Sequence, residues 1–342
     1  MNAALFAYSR QGCKTARRVM ECLEKTDALE AYTMERFEEA GFSPLRKPGR
    51  EFYGSIFNRV HAMIFISSVG LVVREIAPHL KSKATDPAVL VLDELGRFVI
   101  PVLSGHIGGA NALAEKLAQK LGATPVITTA TDINGRFSVD AWAAKNGYCL
   151  SGLSEAKAVS AAILEENVPL KSDFPVIAPL PSGLVMGETG TVGIYVGFRK
   201  QKPFEKTLTA IPRILHLGLG CRKGTPAEAV RRAVETVLEE NRIEARAICS
   251  AASVDLKAQE SGLLEYCREA GLPVHFYSAK ELNALRGDFT PSEFVKSVTG
   301  VDNVCERAAR MEGTQLVVKK TACCGVTVAL AAEYWGTLWV NC

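Results

Sequence analysis

At 342 residues the chain is long enough for two or three domains, and its 48% hydrophobic content supplies real cores. Only 23% of residues are charged and the net charge is +3 with the basic residues scattered, which excludes wholesale disorder and a dedicated nucleic-acid protein with a concentrated basic face. No apolar run approaches the ~20 residues of a membrane span. The N-terminal stretch Met1-Asn-Ala-Ala-Leu-Phe-Ala-Tyr-Ser-Arg10 lacks the basic flank of a signal peptide, so a cytoplasmic protein with no membrane association is expected. The ten cysteines follow no zinc spacing, and adjacent Cys323 and Cys324 are poorly placed to chelate one metal, so reduced and mostly buried thiols are expected.

Leu5 to Tyr8 reads as the first strand. Ser9-Arg-Gln-Gly12 then turns, either as an anion cradle beside Arg10 and Lys14 or as an ordinary strand–helix joint. The helix after it carries Ala16, Val19, Met20 and Leu23 on one face. Gly41 to Gly54 is polar and broken by Pro44 and Pro48, which predicts a loop. Ala62 to Ile66 is a buried strand. Ser67-Ser-Val-Gly70 follows, then a short helix with Leu71, Val72, Ile76 and Leu80, kinked or ended by Pro78.

Val89 to Leu92 and Phe98 to Leu103 are apolar runs flanking Asp93-Glu-Leu-Gly96, a hairpin turn whose two carboxylates read as solvated turn residues. Ser104-Gly-His-Ile-Gly-Gly109 turns sharply into a helix carrying Ala110, Leu113, Ala114, Leu117 and Leu121, stopped by Gly122. Pro125 to Thr129 completes a parallel strand–helix–strand unit. The turn is the informative part. A helix N-terminus presents unpaired N–H groups, glycines let an anion approach the backbone, and an imidazole exchanges protons near neutral pH. The alternative is that Gly105, Gly108 and Gly109 only permit tight packing and His106 is a polar loop residue. The loop at Gly70 is expected at the same sheet edge as this one, since ligands of open parallel sheets bind outside the strand carboxyl ends. Thr128 to Asp132 adds hydroxyls and a carboxylate at a strand end.

Ser138 to Asn146, stopped by Gly147, and Glu155 to Glu166 read as helices. Between Asn167 and Pro212, prolines and short glycine-punctuated apolar runs suggest a small β-rich segment linking two α/β domains. The last domain opens on Arg213-Ile-Leu-His-Leu-Gly-Leu-Gly-Cys-Arg-Lys-Gly224, strand then glycine loop. Thr225-Pro-Ala-Glu228 and Thr290-Pro-Ser-Glu293 both read as capping boxes. Strands are expected at Ala247–Ala251, Pro273–Tyr277, Gln315–Val318, Val326–Ala329 and Thr337–Val340. The loop at Gly218 to Gly224 approximates a dinucleotide fingerprint, but no acidic residue stands at a strand end about 20 positions on, and Arg222 and Lys223 suit an anionic ligand. Ser253 and Asp255 follow a strand and either face a cleft or, for Asp255, cap a helix. One glycine loop per lobe suits a ligand with many carboxylates or phosphates.

The resulting layout is 1–147, an N-terminal α/β domain; 148–212, the middle segment; and 213–342, a second α/β domain, both domains with mostly parallel sheets. Across this layout the chain resembles the cobalt-precorrin-5A hydrolase family of anaerobic cobalamin biosynthesis. The resemblance runs through Ile64-Phe-Ile-Ser-Ser-Val-Gly-Leu-Val-Val-Arg-Glu-Ile-Ala-Pro-His-Leu-Lys81, Lys83 to Asp93, Gly96 to Asn111 with its Ser-Gly-His-x-Gly-Gly-Ala-Asn string, and Pro125 to Asp132. It resumes at Gly218 to Pro226, Phe289 to Phe294, Val301 to Glu306 and Gly325 to Val328.

The resemblance implies a hydrolase that opens the ring A δ-lactone of cobalt-precorrin-5A and releases acetaldehyde, giving cobalt-precorrin-5B. It implies an anionic cobalt-corrinoid as the partner, cobalt arriving with the substrate, no cofactor of the protein's own and no protein metal site. On this reading His106 and Ser104 are the catalytic candidates, with backbone N–H groups of their loop stabilising an oxyanion. Gly70, Arg74, Gly105, Gly108, Gly109, Asn111 and Asp132 are candidate substrate contacts in the first domain. Gly220, Arg222, Lys223, Ser253 and Asp255 are the candidates in the last. The final domain also resembles a stand-alone protein of the aerobic route, so a non-catalytic corrinoid carrier is the alternative. A homodimer is left open.

Overall fold

In the first strand, β1 (Asn2–Ala7), all but the first residue are buried, and the side chains split between two faces. Ala3, Leu5 and Ala7 join one core, Ala4 and Phe6 another. Such a strand needs cover on both sides, which is the signature of a mostly parallel sheet between helical layers. A computed structural model of the chain describes residues 1–23, 28–38, 40–46, 49–82, 85–176 and 179–333. It folds as two compact units that meet in sequence between Ala141 and Trp142.

The first unit follows β1 with α1 (Arg10–Cys22), β2 (Ala28–Thr33), β3 (Ser43–Pro44), α2 (Gly49–Phe57), β4 (Ala62–Ile66), α3 (Val69–Ile76), β5 (Ala88–Leu92), β6 (Phe98–Leu103), α4 (Ala110–Leu121), β7 (Thr124–Pro125) and α5 (Ala130–Ile133). The sheet order is β3-β2-β1-β4-β5-β6-β7. Helices α1 and α4 cover one face through Ala16, Val19, Ala114 and Leu117. Helices α2 and α3 cover the other, where Phe6 stacks on Phe65 with ring centroids 4.6 Å apart and Tyr53 packs edge-on to Phe6. Helix α2 occupies part of the predicted 41–54 loop. The spacing of Phe52, Tyr53, Ile56 and Phe57 is helical, and burial of the last three outweighs the polar residues ahead of them.

Every pairing in this sheet is parallel except β5–β6, the hairpin at Asp93–Gly96. That reversal overturns one expectation. Strand β6 runs against β4, so the Ser104–Gly109 loop emerges near Asp86, at the start of β5. The loop at Ser67–Gly70 emerges at the end of β5, where the Ser67 N–H donates to the Leu92 carbonyl. The two loops lie at opposite edges. The strand expected over 125–129 is also shorter: β7 pairs only Thr124 and Pro125, with one further hydrogen bond from Val126 N–H to the Val99 carbonyl.

Helix α6 (Val139–Lys145) spans the boundary between the units. The second unit continues with β8 (Tyr148–Leu150), α7 (Leu153–Glu165), β9 (Val168–Ser172), β10 (Leu184–Met186), β11 (Val192–Val196) and β12 (Lys206–Pro212). These strands form a sheet in the order β10-β9-β11-β12-β8, parallel but for β8. Next come β13 (Leu215–Cys221), α8 (Ala227–Glu240), β14 (Ile248–Val254), α9 (Ser261–Glu269), β15 (Val274–Tyr277), α10 (Ala279–Ala284), α11 (Glu293–Thr299), α12 (Val304–Glu312), β16 (Gln315–Cys323) and β17 (Val326–Ala332). Their sheet runs β15-β14-β13-β17-β16, with β17 antiparallel to both neighbours. Ile211 and the partly buried Cys149, Phe174 and Phe198 share one core with Val230, Val234 and Leu263. Residues 148–212 are therefore an integral layer of this unit and not a connector. The strand predicted at Thr337–Val340 lies outside the described residues.

The two predicted capping boxes form differently. The Thr225 hydroxyl donates to the Arg222 carbonyl instead of accepting from α8, whose N-cap is Pro226. At the second, Ser292 and not Thr290 caps α11, accepting from the Val295 N–H. Thr290 is drawn away to Glu306, a fully buried carboxylate in the first turn of α12. Glu306 accepts from the Thr290 N–H at 2.8 Å, the Thr290 hydroxyl at 2.8 Å and the Lys320 N–H at 2.6 Å.

Candidate functional site

In the first unit, the Ser104–Gly109 turn exists because β6 must enter α4 within six residues. Ser104 takes up a left-handed conformation (φ 57°), rare for a residue with a side chain, and its hydroxyl donates to the Asp86 carbonyl at 2.9 Å. A Cβ on Gly108 would lie 2.4 Å from Cβ of Ser104, so this glycine is required for closure of the turn. A Cβ on Gly105 would lie 2.7 Å from the Asn111 side-chain oxygen. Gly109 is left-handed at φ 79°. The N–H groups of Gly109, Ala110, Asn111 and Leu113 donate to the carbonyls of His106, Ser104, Gly105 and Gly109. The first turn of α4 is thus closed by its own loop, and the helix start is no vacant anion cradle.

The side chains of this turn converge on His106 instead. Its Nε2 lies 3.0 Å from Oδ2 of Asp132, and its Nδ1 lies 3.1 Å from the Ser138 hydroxyl. Thr131 Oγ1 is 3.5 Å from Nε2. Asn111, nearly buried, donates from Nδ2 to the same Asp132 oxygen at 2.7 Å and to Thr129 Oγ1 at 3.0 Å. The His106 side chain is 19% exposed and that of Asp132 35%, so the ring is held firmly yet reachable. Of the residues expected here, His106, Asn111 and Asp132 come together. Ser104 belongs to the backbone of the turn and does not touch His106. Gly70 sits at the opposite sheet edge and Arg74 is exposed on α3, so neither joins this group. Ser138 was missed: it stands 32 residues from His106 in an unremarkable helix start, and only the excursion through α5 brings it back.

In the second unit, a cavity of about 530 Å³ opens beside the end of β13, within the range of small-molecule sites. One wall is apolar: Val254, Phe294, Val295, Val298 and Val304. Phe294 is 72% exposed and Val298 62% exposed, unusual for such side chains on one short helix. Arg222, Lys223, Lys257 and Lys320 supply cations around it. Gly220 lines the cavity, where a Cβ would strike the Thr327 hydroxyl at 2.5 Å. The glycine loop itself is closed by the chain: Glu260 accepts from the Gly224 N–H at 2.5 Å and pairs with Lys257 at 3.2 Å. These contacts hold the Glu260 carboxyl below its ordinary range. Ser253 does not face a cleft. It is fully buried and its hydroxyl donates to the Leu219 carbonyl, tying β14 to β13. Asp255 is exposed at the start of a 3-10 turn and does not line the cavity. Lys257 and Lys320 carry no sequence signal, since a single lysine on a strand or turn is ordinary.

Among the described residues, no helix is long and apolar enough to cross a membrane. Residues 51–132 match the cobalamin synthesis G N-terminal family and residues 215–331 match the cobalamin synthesis G C-terminus family. The cobalt-precorrin-5A hydrolase of Priestia megaterium is 32% identical over 96% of this chain and 94% of its own length. The chain belongs to the cobalt-precorrin-5A hydrolase family. The Salmonella typhimurium enzyme of that name is likewise 32% identical, over 97% of each chain. A Sinorhizobium protein named CobE is 35% identical over 34% of this chain and 79% of its own length. The family's N-terminal match ends on Asp132, so it contains His106 and Asn111 but stops before Ser138. Its C-terminal match contains all four cavity cations.

Proposed function

We propose that this chain is a cytoplasmic hydrolase of cobalamin biosynthesis that opens the ring A δ-lactone of cobalt-precorrin-5A and expels acetaldehyde, leaving cobalt-precorrin-5B. The observation that carries the reading is His106, partly exposed and gripped on both ring nitrogens by Asp132 and Ser138, in a chain matched along nearly its whole length by hydrolases of that name.

Lactone opening needs a proton taken from the attacking oxygen and one returned to the leaving oxygen, and one imidazole does both. Asp132 and Asn111 fix the ring's orientation. The N–H groups of Gly105, His106, Ile107 and Gly108, which meet no protein acceptor among the described residues, are the candidates to stabilise the oxyanion. Loss of acetaldehyde then follows: the freed hydroxyl gives up its proton, its oxygen forms the aldehyde carbonyl, the carbon–carbon bond to the macrocycle breaks, and the macrocycle takes up the electron pair and a proton. Cobalt enters as part of the substrate, and no cofactor of the protein's own is invoked.

The second unit's cavity suits the same chemical class. Its apolar wall matches the face of a tetrapyrrole, and Arg222, Lys223 and Lys320 suit acetate and propionate arms, Lys257 being already paired with Glu260. The test is incubation of the protein with cobalt-precorrin-5A, with trapping of acetaldehyde and mass analysis of the corrinoid. Corrinoid binding without acetaldehyde would instead make the chain a carrier. A folded His106→Ala protein with full lactone-opening rate would remove that residue from the mechanism.

A further inference from the structure

The hydrogen-bond directions around His106 carry a further step. The Asp132 carboxylate, when ionised, only accepts. It lies 3.0 Å from Nε2 and already receives the Asn111 amide on the same oxygen. The Nε2 therefore carries a hydrogen, and in the neutral ring Nδ1 is bare. Among the described residues, the group that supplies a proton at Nδ1 is the Ser138 hydroxyl at 3.1 Å. The Ala141 N–H donates to the Ser138 oxygen at 3.5 Å, which occupies a lone pair and leaves the hydroxyl proton available to the ring. Ser138 is half-buried, so the residue keeps some access to solvent, and its hydroxyl faces a base.

The second unit holds a serine–histidine–glutamate group whose serine and histidine are buried. Ser250 lies 2.7 Å from His216 Nδ1, and Glu333 lies 3.1 Å from His216 Nε2. There both the serine and the histidine are 5% exposed, so no substrate reaches the hydroxyl. Accessibility is what separates a tie between strands from a nucleophile.

We propose that Ser138 is the nucleophile of lactone opening, with His106 as its base and Asp132 as the residue that orients the ring. The identity of the ester rests on the lactone-hydrolase reading above; the nucleophile itself does not. Ser138 Oγ adds to the lactone carbonyl carbon while its proton passes to His106 Nδ1. The bond from that carbon to the ring oxygen breaks, the ring oxygen takes the proton from Nδ1, and an ester on Ser138 remains. Water then adds to the same carbon and gives a proton to Nδ1. The carbon–Oγ bond breaks and Oγ recovers the proton. One water is consumed, nothing is oxidised, and Asp132 stays ionised throughout.

Two measurements on the full chain test this. Ser138→Ala is expected to lower acetaldehyde release at least about 10³-fold, with Ser138→Ala/His106→Ala no worse than either single variant, because members of one relay are not additive. Ser138→Cys is expected to recover part of the rate, and it serves as the second variant if Ser138→Ala does not fold. Independently of substrate, an alkyl fluorophosphonate is expected to label Ser138 in the parent protein and to label His106→Ala at least about tenfold more slowly. A folded Ser138→Ala protein with a rate within about threefold of the parent overturns the proposal, as does a parent unlabelled at Ser138. A parent labelled at Ser138 that releases no acetaldehyde supports the nucleophile and overturns the lactone-hydrolase reading.

Discussion

Replacing Glu306 by alanine is expected to destabilise the second unit by about 3 kcal/mol, because three neutral hydrogen-bond donors lose their acceptor. The side chain is 0% exposed and accepts three hydrogen bonds, from the Thr290 N–H, the Thr290 hydroxyl and the Lys320 N–H. Each donor left without a partner costs about 1–3 kcal/mol, offset in part by relief of the carboxylate's own desolvation. Glutamine tests the arithmetic. Its oxygen can replace the one that serves Lys320 and the Thr290 hydroxyl, but its NH₂ then faces the Thr290 N–H, so about 1–3 kcal/mol is lost. Thermal unfolding of the full chain should show a drop on the order of 10 °C for alanine and a smaller one for glutamine. The Thr290 segment leads into α11, and Lys320 lines the cavity, so corrinoid affinity should fall with stability. An alanine protein that melts within about 2 °C of the parent would refute the claim that these three bonds hold the cavity wall.

Other outcomes are as specific. Lys223→Ala and Lys320→Ala should each weaken binding of a polycarboxylate cobalt corrinoid about tenfold (~1.4 kcal/mol) at low salt, with the difference shrinking as salt rises, measured by absorbance titration. Gly218→Ala places a Cβ 1.8 Å from the Cys305 carbonyl oxygen, so α12 must lift from β13. A loss of about 3 kcal/mol or more is expected in urea unfolding. Glu30 is held at about 2, below its ordinary 4.5, first by its hydrogen bond to Arg59 and then by Tyr32. A depressed carboxylate stabilises the fold above its unfolded value, and that contribution fades as pH falls from about 4.5 toward about 2. Glu30→Gln should therefore flatten the acid limb of the urea midpoint between pH 6 and pH 3. The effect should be small, since both side chains are substantially exposed.

Much of the first unit was legible because its signals are local. The apolar runs of β1, β4, β5 and β6, the hairpin at Asp93–Gly96 and the glycine turn at His106 each announce themselves within a dozen residues. His106, Asn111 and Asp132 were within reach for the same reason. The error over Gly70 arose from treating two strand–loop–helix joints as equivalent while also reading a hairpin between them. The hairpin alone dictates that β6 runs backwards. Ser138, Lys257 and Lys320 were invisible because their roles come from long-range approach, and nothing in their neighbours' spacing marks it. Thr225 and Thr290 misled because a capping pattern states only that a hydroxyl has a partner available. At Thr290 a buried carboxylate sixteen residues on competed better.

In each unit a glutamate of the chain sits against a glycine turn that leads into a helix: Glu94 on the Ser9 hydroxyl that caps α1, and Glu260 on the Gly224 N–H. Orthophosphate and nucleotides, which crowd any cell, would have to evict a tethered rival with the same sign of charge. A tethered group wins that contest at ordinary concentrations, because it forfeits far less freedom than a diffusing one. In the second unit the remaining attraction comes from long cationic side chains spread around an apolar wall. That arrangement rewards breadth and several simultaneous grips, and leaves a lone small anion with little reason to stay.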